Sequence, residues 1–161
     1  MLKIIEANSK KEFLDAKEAT LKYIEWLGID LAFQNIDKEL KEFEYIYSKK
    51  GGGIFLVAYY NNKLAGSVGF KRLSNDICEM KRLFVFNEFR GFNIGYELCL
   101  NLILKAKKQG YKKIRLDTLN YMKSAIKLYK KLGFKEIKPY YYNPHPNTFF
   151  MELELNIQPF T

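Results

Sequence analysis

The sequence predicts an α/β protein built on one mixed sheet (α+β), with helices on both faces, and three observations predict it. Three β-like runs joined by short turns follow one another over residues 54–86, the pattern of an antiparallel meander. Helix, strand and helix patterns then alternate over 94–132, as in a crossover onto a parallel neighbour. Two helical stretches precede the meander and two short strands close the chain, giving the order β-α-α-β-β-β-α-β-α-β-β. The 161 residues, 48% hydrophobic and 28% charged, suit a single globular domain over 1–161 and exclude disorder, collagen-like repeats and a membrane protein.

Residues 2–7 form a short β-like run. Ser9-Lys10-Lys11-Glu12 matches a capping box, in which Ser9 caps a helix and Glu12 reaches back. Apolar residues at helical spacing follow (Phe13, Ala16, Tyr23, Ile24, Leu27, with Thr20 between), and Gly28 ends that helix. A second helix is expected over 37–47, with Leu40, Phe43 and Tyr47 on one face. The strands of the meander are 54–60, 63–72 and 77–86, with Asn61-Asn62 and Asn75-Asp76 as turns. A helix carrying Ile94, Leu98, Leu102 and Ala106 ends at Gly110, a strand covers 114–118, and a helix over 122–132 stops at Gly133 as its left-handed C′ residue. Strands at 134–137 and 148–155 flank the segment 139–146, whose three prolines bar it from a central strand.

The net charge is +9, from 27 Lys and Arg against 18 Asp and Glu, but only four of the cations are Arg. Nucleic-acid readout leans on Arg forks, so this surplus argues little for it. A solvated Lys-rich surface and an anionic small ligand account for it equally well. Two cysteines in apolar settings, Cys78 and Cys99, read as buried reduced thiols and a cytoplasmic compartment. With one His and no CxxC, no structural zinc or other metal is expected.

The segment Arg90-Gly91-Phe92-Asn93-Ile94-Gly95 stands between a strand and a helix. A helix N-terminus offers unpaired N–H groups and a partial positive charge, so it suits an anion. Taken alone, the segment reads first as a glycine-bearing turn that caps a helix. It is neither a GxGxxG fingerprint nor a P-loop. About forty residues on comes Ala125-Ile126-Lys127-Leu128-Tyr129-Lys130-Lys131-Leu132-Gly133-Phe134. With these two motifs in this order, the chain resembles the GCN5-related N-acetyltransferases (GNAT). That family carries Q/R-x-x-G-x-G/A after its fourth strand and A-I-x-L-Y-x-x-L-G-F in the next crossover. The strand Glu79-Met80-Lys81-Arg82-Leu83-Phe84-Val85 resembles the family's fourth strand, and the stretch 110–155 resembles a bacterial subgroup without an assigned substrate. Two positions depart from the pattern. Asn93 replaces a glycine, and Asn tolerates positive φ. Met122 stands where many members place a CoA-holding Asn.

The resemblance implies a GNAT-type acyl-CoA N-acyltransferase fold and an acetyltransferase that uses acetyl-CoA as co-substrate by direct transfer in a ternary complex. Its pyrophosphate would sit on Arg90, Gly91, Phe92, Asn93, Ile94, Gly95 and Tyr96, and its pantetheine along Leu83, Phe84 and Val85. Tyr129 would be the general acid, although its spacing with Ala125, Leu128 and Leu132 also suits a core aromatic. Glu79, on the opposite sheet face from Cys78 and Met80, would be the general base, through water. His145 is expected on an exposed loop. The expected partner is a small-molecule amine, with a homodimer admitted and neither nucleic acid nor membrane expected. Its pocket would be formed by the loops 28–36 and 139–147, whose Leu31, Phe33, Tyr140, Tyr141 and Tyr142 favour an apolar or aromatic acceptor over a polycation. A non-catalytic acyl-CoA-binding or regulatory domain is the alternative.

Overall fold

In a computed structural model, which describes residues 1–31 and 35–155, seven strands form one sheet in the order β1-β2-β3-β4-β5-β7-β6. The strands are β1 (Leu2–Glu6), β2 (Ile54–Tyr60), β3 (Lys63–Arg72), β4 (Ile77–Val85), β5 (Lys113–Leu119), β6 (Lys135–Ile137) and β7 (Thr148–Glu154). The helices are α1 (Lys10–Leu27), α2 (Ile36–Lys41), α3 (Phe43–Ile46), α4 (Ile94–Lys108) and α5 (Lys123–Lys131). The meander β2–β3–β4 is antiparallel, β4 and β5 are parallel, and β7 inserts between β5 and β6. This is the mixed sheet the sequence predicts.

Local chemistry sets the boundaries. Ser9 caps α1 as a full capping box with Glu12, and Gly28 closes the helix in the left-handed region. Asn61 and Asn62 both have positive φ, as a two-residue hairpin needs. Gly133, at φ 104°, lets the Phe134 N–H reach the Tyr129 carbonyl, a Schellman stop for α5.

The helix expected over 37–47 is instead two short helices that break at Glu42, whose φ and ψ of −103° and 19° leave the helical region. The break lets two kinds of side chain turn inward. Glu39 from α2 meets Arg82, while Phe43 and Tyr47 pack on Phe55.

Two apolar clusters flank the sheet. α4 lays Ile94, Leu98, Leu102 and Ala106 on Leu56, Val68, Met80 and Ile114. On the other face, Phe13 and Ala16 of α1 join Phe43, Tyr47, Phe55 and Val57. Cys78 and Cys99 are buried free thiols, and burial pushes each up to about 12. Among the described residues, no helix is long and apolar enough to cross a membrane.

Candidate active site

β4 and β5 pair only at Ile77↔Lys113, Cys78↔Ile114 and Glu79↔Arg115. Beyond Glu79 they part, while β5 keeps its pairing with β7 on its other edge as far as Leu119. The gap opens into a cavity of about 900 Å³. Its walls come from β4, β5, the end of α1, the starts of α4 and α5, and the loop before β7.

On the α4 side the wall is mostly backbone. Gly91 and Asn93 adopt φ of 91° and 65°, and Asn93 makes no side-chain cap to α4. The first N–H groups of α4 therefore face outward with no partner inside the helix. Leu83, Phe84, Val85, Arg90, Gly91, Asn93, Ile94, Gly95 and Tyr96 all line the cavity. Phe92 does not: its ring lies outside, half-exposed, tilted against Tyr60 with the ring centroids 4.9 Å apart. Arg90 is held rather than loose. Its Nε donates to the Val85 carbonyl at 3.1 Å, and its guanidinium lies 5.2 Å from the Trp26 ring and 5.7 Å from Phe84. Met122 caps α5 without a side-chain cap bond, and Thr118 donates to its sulfur at 3.6 Å.

Tyr129 projects from α5 into the cavity wall, 6% exposed and packed on Phe134. Burial holds its phenol well above the ordinary value of 10.0, so it stays protonated at neutral pH.

The α1 side is built from side chains, and a bulge decides which ones. Ser67 pairs with Phe84 and Gly69 with Lys81, so β4 spends one more residue than β3 over this stretch. Arg82 absorbs it at φ 64°. Before the bulge, Cys78 and Met80 point into the α4 cluster. After it, Leu83 and Val85 do, and Phe84 meets Tyr23 and Trp26. Strict alternation would send Arg82 into the α4 core with Met80. The bulge instead turns Lys81 and Arg82, each 6% exposed, to the same side, and both line the cavity.

Each cation is matched by an acid. Arg82 donates from Nη2 to Glu39 Oε1 at 2.8 Å and from Nε to Oε2 at 3.0 Å, and the Tyr47 hydroxyl adds a bond to Oε2 at 2.9 Å. Burial pushes the Glu39 carboxyl up, but the charge and hydrogen bonds of Arg82 outweigh it and hold the group below its ordinary 4.5. Lys81 lies 3.6 Å from Glu79, and burial lowers its pKa despite that neighbour.

Glu79 occupies the face expected of it but does not line the cavity. Its carboxylate is covered by Lys81 and by the Tyr140 hydroxyl, which donates to it at 2.5 Å. The pocket expected from the two loops also needs correction. Ile29 and Leu31 of the first and Asn143 and His145 of the second line the cavity, while Tyr140, Tyr141 and Tyr142 do not. Tyr140 and Tyr141 pack edge-on against Phe150 because their hydroxyls are drawn to Glu79 and Asp117, and Tyr142 is 84% exposed. Phe33 lies outside the described residues. His145, expected on an exposed loop, is half-buried in the wall, with Nδ1 accepting from the Asn147 N–H at 3.3 Å.

Sequence reasoning missed Asp117. It lines the cavity from β5 and accepts from the Tyr141 hydroxyl and, at 3.3 Å, from Asn143. The available signal was the alternation Ile114-Arg115-Leu116-Asp117, which puts two charges on the sheet face that Glu79 shares.

The chain matches the model of the acetyltransferase (GNAT) family over residues 20–134. It is 32% identical to an uncharacterized N-acetyltransferase of Dictyostelium discoideum, over 96% of this chain and 99% of that one. Among solved structures, it is similar to an acetyltransferase of the GNAT family from Staphylococcus aureus Mu50, with a TM-score of 0.79 and 28% identity over 97% of this chain and 100% of that one. PaiA N-acetyltransferase from Thermoplasma acidophilum, solved in complex with coenzyme A, shares the fold, with a TM-score of 0.74 and 21% identity over 96% of this chain and 99% of that one. The parted strands, the left-handed turn before α4 and this likeness along almost the whole chain agree: the chain belongs to the GNAT family of N-acetyltransferases.

Proposed function

We propose that the protein transfers an acetyl group from acetyl-CoA directly to the amine of a small acceptor bound beside it. The observation that carries this reading is the unpaired β4 edge running into the uncapped start of α4, along one wall of a 900 Å³ cavity. An extended amide chain can pair with Leu83–Val85 as an added strand, and a pyrophosphate can sit on the N–H groups of residues 91–96. Gly95 lines this stretch of the wall. Arg90 releases the Val85 carbonyl as the chain pairs, and its charge turns to phosphate. The β4 backbone also polarises the thioester carbonyl.

The acceptor ammonium gives up a proton, and the free amine attacks that carbonyl carbon. Glu79 receives the proton through an intervening water, with the Tyr140 hydroxyl as its neighbour. The C–S bond then breaks and the sulfur takes a proton from the Tyr129 hydroxyl. The attacking nitrogen gives its second proton, through water, to the Tyr129 phenolate, which leaves the amide with a single N–H, and Glu79 releases the first proton to solvent.

Thiol release from acetyl-CoA across a panel of amines, beside calorimetric titration with CoA, tests the reading. CoA binding with turnover of an apolar or aromatic amine is expected. Binding without turnover of any amine would mark a non-catalytic domain. Preference for spermidine over every aromatic or apolar amine would refute the acceptor class.

A further inference from the structure

Glu79 is to take the acceptor's proton, yet it does not line the cavity. It sits in the last closed pair of β4 and β5, Glu79↔Arg115, and the next residue on its face, Lys81, lies beyond the parting. Cys78 and Met80 point into the α4 cluster, which leaves Glu79 and Lys81 together on the other face. Both are buried, and Lys81 Nζ lies 3.6 Å from Glu79 Oε1. Glu79 Oε2 accepts from the Tyr140 hydroxyl, and Tyr140 does not line the cavity either. Of the two residues that cover the carboxylate, Lys81 alone also lines the cleft. Resting on the acetyl-transfer reading above, we propose that Lys81 is a proton relay, through which the proton of the acceptor ammonium passes from the cleft water to Glu79.

Lys81 Nζ gives a proton to Glu79 Oε1. The neutral amine so formed takes one from the water, which takes one from the acceptor ammonium. One N–H bond of Lys81 breaks and another forms, so it begins and ends as an ammonium. Glu79 ends as a carboxylic acid, and the acceptor is left as a free amine. The flexible lysine stem lets the 3.6 Å separation close to hydrogen-bond length, as such contacts tighten in the loaded complex. Burial lowers the Lys81 pKa below its ordinary 10.5 despite the Glu79 carboxylate, which makes the proton easier to give up. The other groups around the pair do not offer this path. Lys71 and Arg115 stand opposite Glu79 in register but do not line the cavity. Arg82 is a guanidinium, which keeps its protons, and Glu39 holds it with two hydrogen bonds. The phenols of Tyr47, Tyr140 and Tyr141 are all held above their ordinary 10.0, chiefly by burial, and stay neutral. Asp117 lines the cavity from β5 and is the rival base.

The test sets two acceptors of similar shape against each other, with acetyl-CoA at neutral pH. Phenethylamine arrives as an ammonium, and O-benzylhydroxylamine, a weakly basic alkoxyamine, arrives as the free amine. Only the first needs the relay before it can attack. In Lys81→Met the ratio of kcat/KM for phenethylamine to that for O-benzylhydroxylamine should fall roughly 100-fold, the low end of general-base effects. Lys81→Arg should leave the ratio low, because arginine keeps the charge beside Glu79 but does not pass the proton. The double variant Glu79→Gln/Lys81→Met should lower the ratio no further than Lys81→Met does, since the two residues act as a unit. It leaves neither ion of the pair unpaired, so it also reads the ratio where a single change unfolds the chain. An unchanged ratio in Lys81→Met, with both acceptors lowered alike, marks a structural role and overturns the relay. A ratio restored by Lys81→Arg overturns it too. So does a ratio that falls in Asp117→Asn but not in Lys81→Met, which would make Asp117 the base. All three results leave the transfer reading standing. If the wild-type protein binds CoA and turns over neither amine, the apolar-amine reading falls and the relay with it.

Discussion

On the α4 side of the cleft the wall is a continuous piece of chain, the β4 edge from Leu83 to Val85 leading through Gly91 and Asn93 into α4. On the α1 side it is a set of side chains (Tyr23, Lys81, Arg82, Asp117, His145) carried by elements far apart in sequence. A site made of backbone needs only a local conformation, so its residues are adjacent and small or turn-prone. A site made of side chains needs a fold, a register and, here, a bulge. The first kind suits a ligand part common to many proteins, the second a part peculiar to one.

Variants at four positions press on that contrast. The largest effect belongs to the side-chain half. Glu39→Ala leaves Arg82 buried without its bidentate partner and should cost about 3–5 kcal/mol in urea unfolding. The same pair gives a pH signature. Because the Glu39 carboxyl is held below 4.5, its contribution is complete above that pH and is lost as pH falls through the lowered folded value. Glu39→Gln should flatten that part of the acid-unfolding curve.

Tyr129→Phe comes next. It removes one hydroxyl and keeps the ring on Phe134, so the thermal midpoint should hold while kcat drops roughly 10–100-fold, with CoA affinity little changed. Wild-type turnover in this variant would make Tyr129 a core aromatic only.

On the backbone half the effects shrink. Arg90→Ala should weaken CoA binding by about 1.5 kcal/mol, the low end for a charge-assisted contact, because the wild-type side chain must first leave Val85, Trp26 and Phe84. Unchanged affinity in calorimetry would take Arg90 out of the site. Asn93→Gly changes least. Glycine reaches φ 65° without a Cβ penalty, so CoA affinity should stay within about twofold or tighten. A marked loss would show that the Asn93 side chain itself holds the ligand.

The same contrast explains what could be read from sequence. The meander, the α4 start and the positive φ of Asn93 follow from turn chemistry and periodicity within ten residues of each feature, and all are present. The break at Glu42 was hidden because Leu40, Phe43 and Tyr47 keep helical spacing across it. Their common burial is met by two helices at an angle instead of one. Glu79 lies on the face its alternation predicts, yet Tyr140, sixty-one residues away, closes over it. Lys81 and Arg82 were illegible for a sharper reason. Period-two reading assigns them opposite faces, and only an extra residue in a strand reverses that. Asp117 needed the pairing of β4 with β5, which no local pattern carries.

The clasp of Arg90 on Val85 has one more consequence. A β-strand edge with unpaired amides is sticky toward any extended chain, and β4 presents such an edge in the middle of its sheet. The Nε–H of Arg90 covers one of its carbonyls, and the cation stands over the opening between two aromatic rings. Charge at a strand edge discourages edge-to-edge pairing between molecules. Removing Arg90 is therefore expected to show in self-association on concentration as well as in binding.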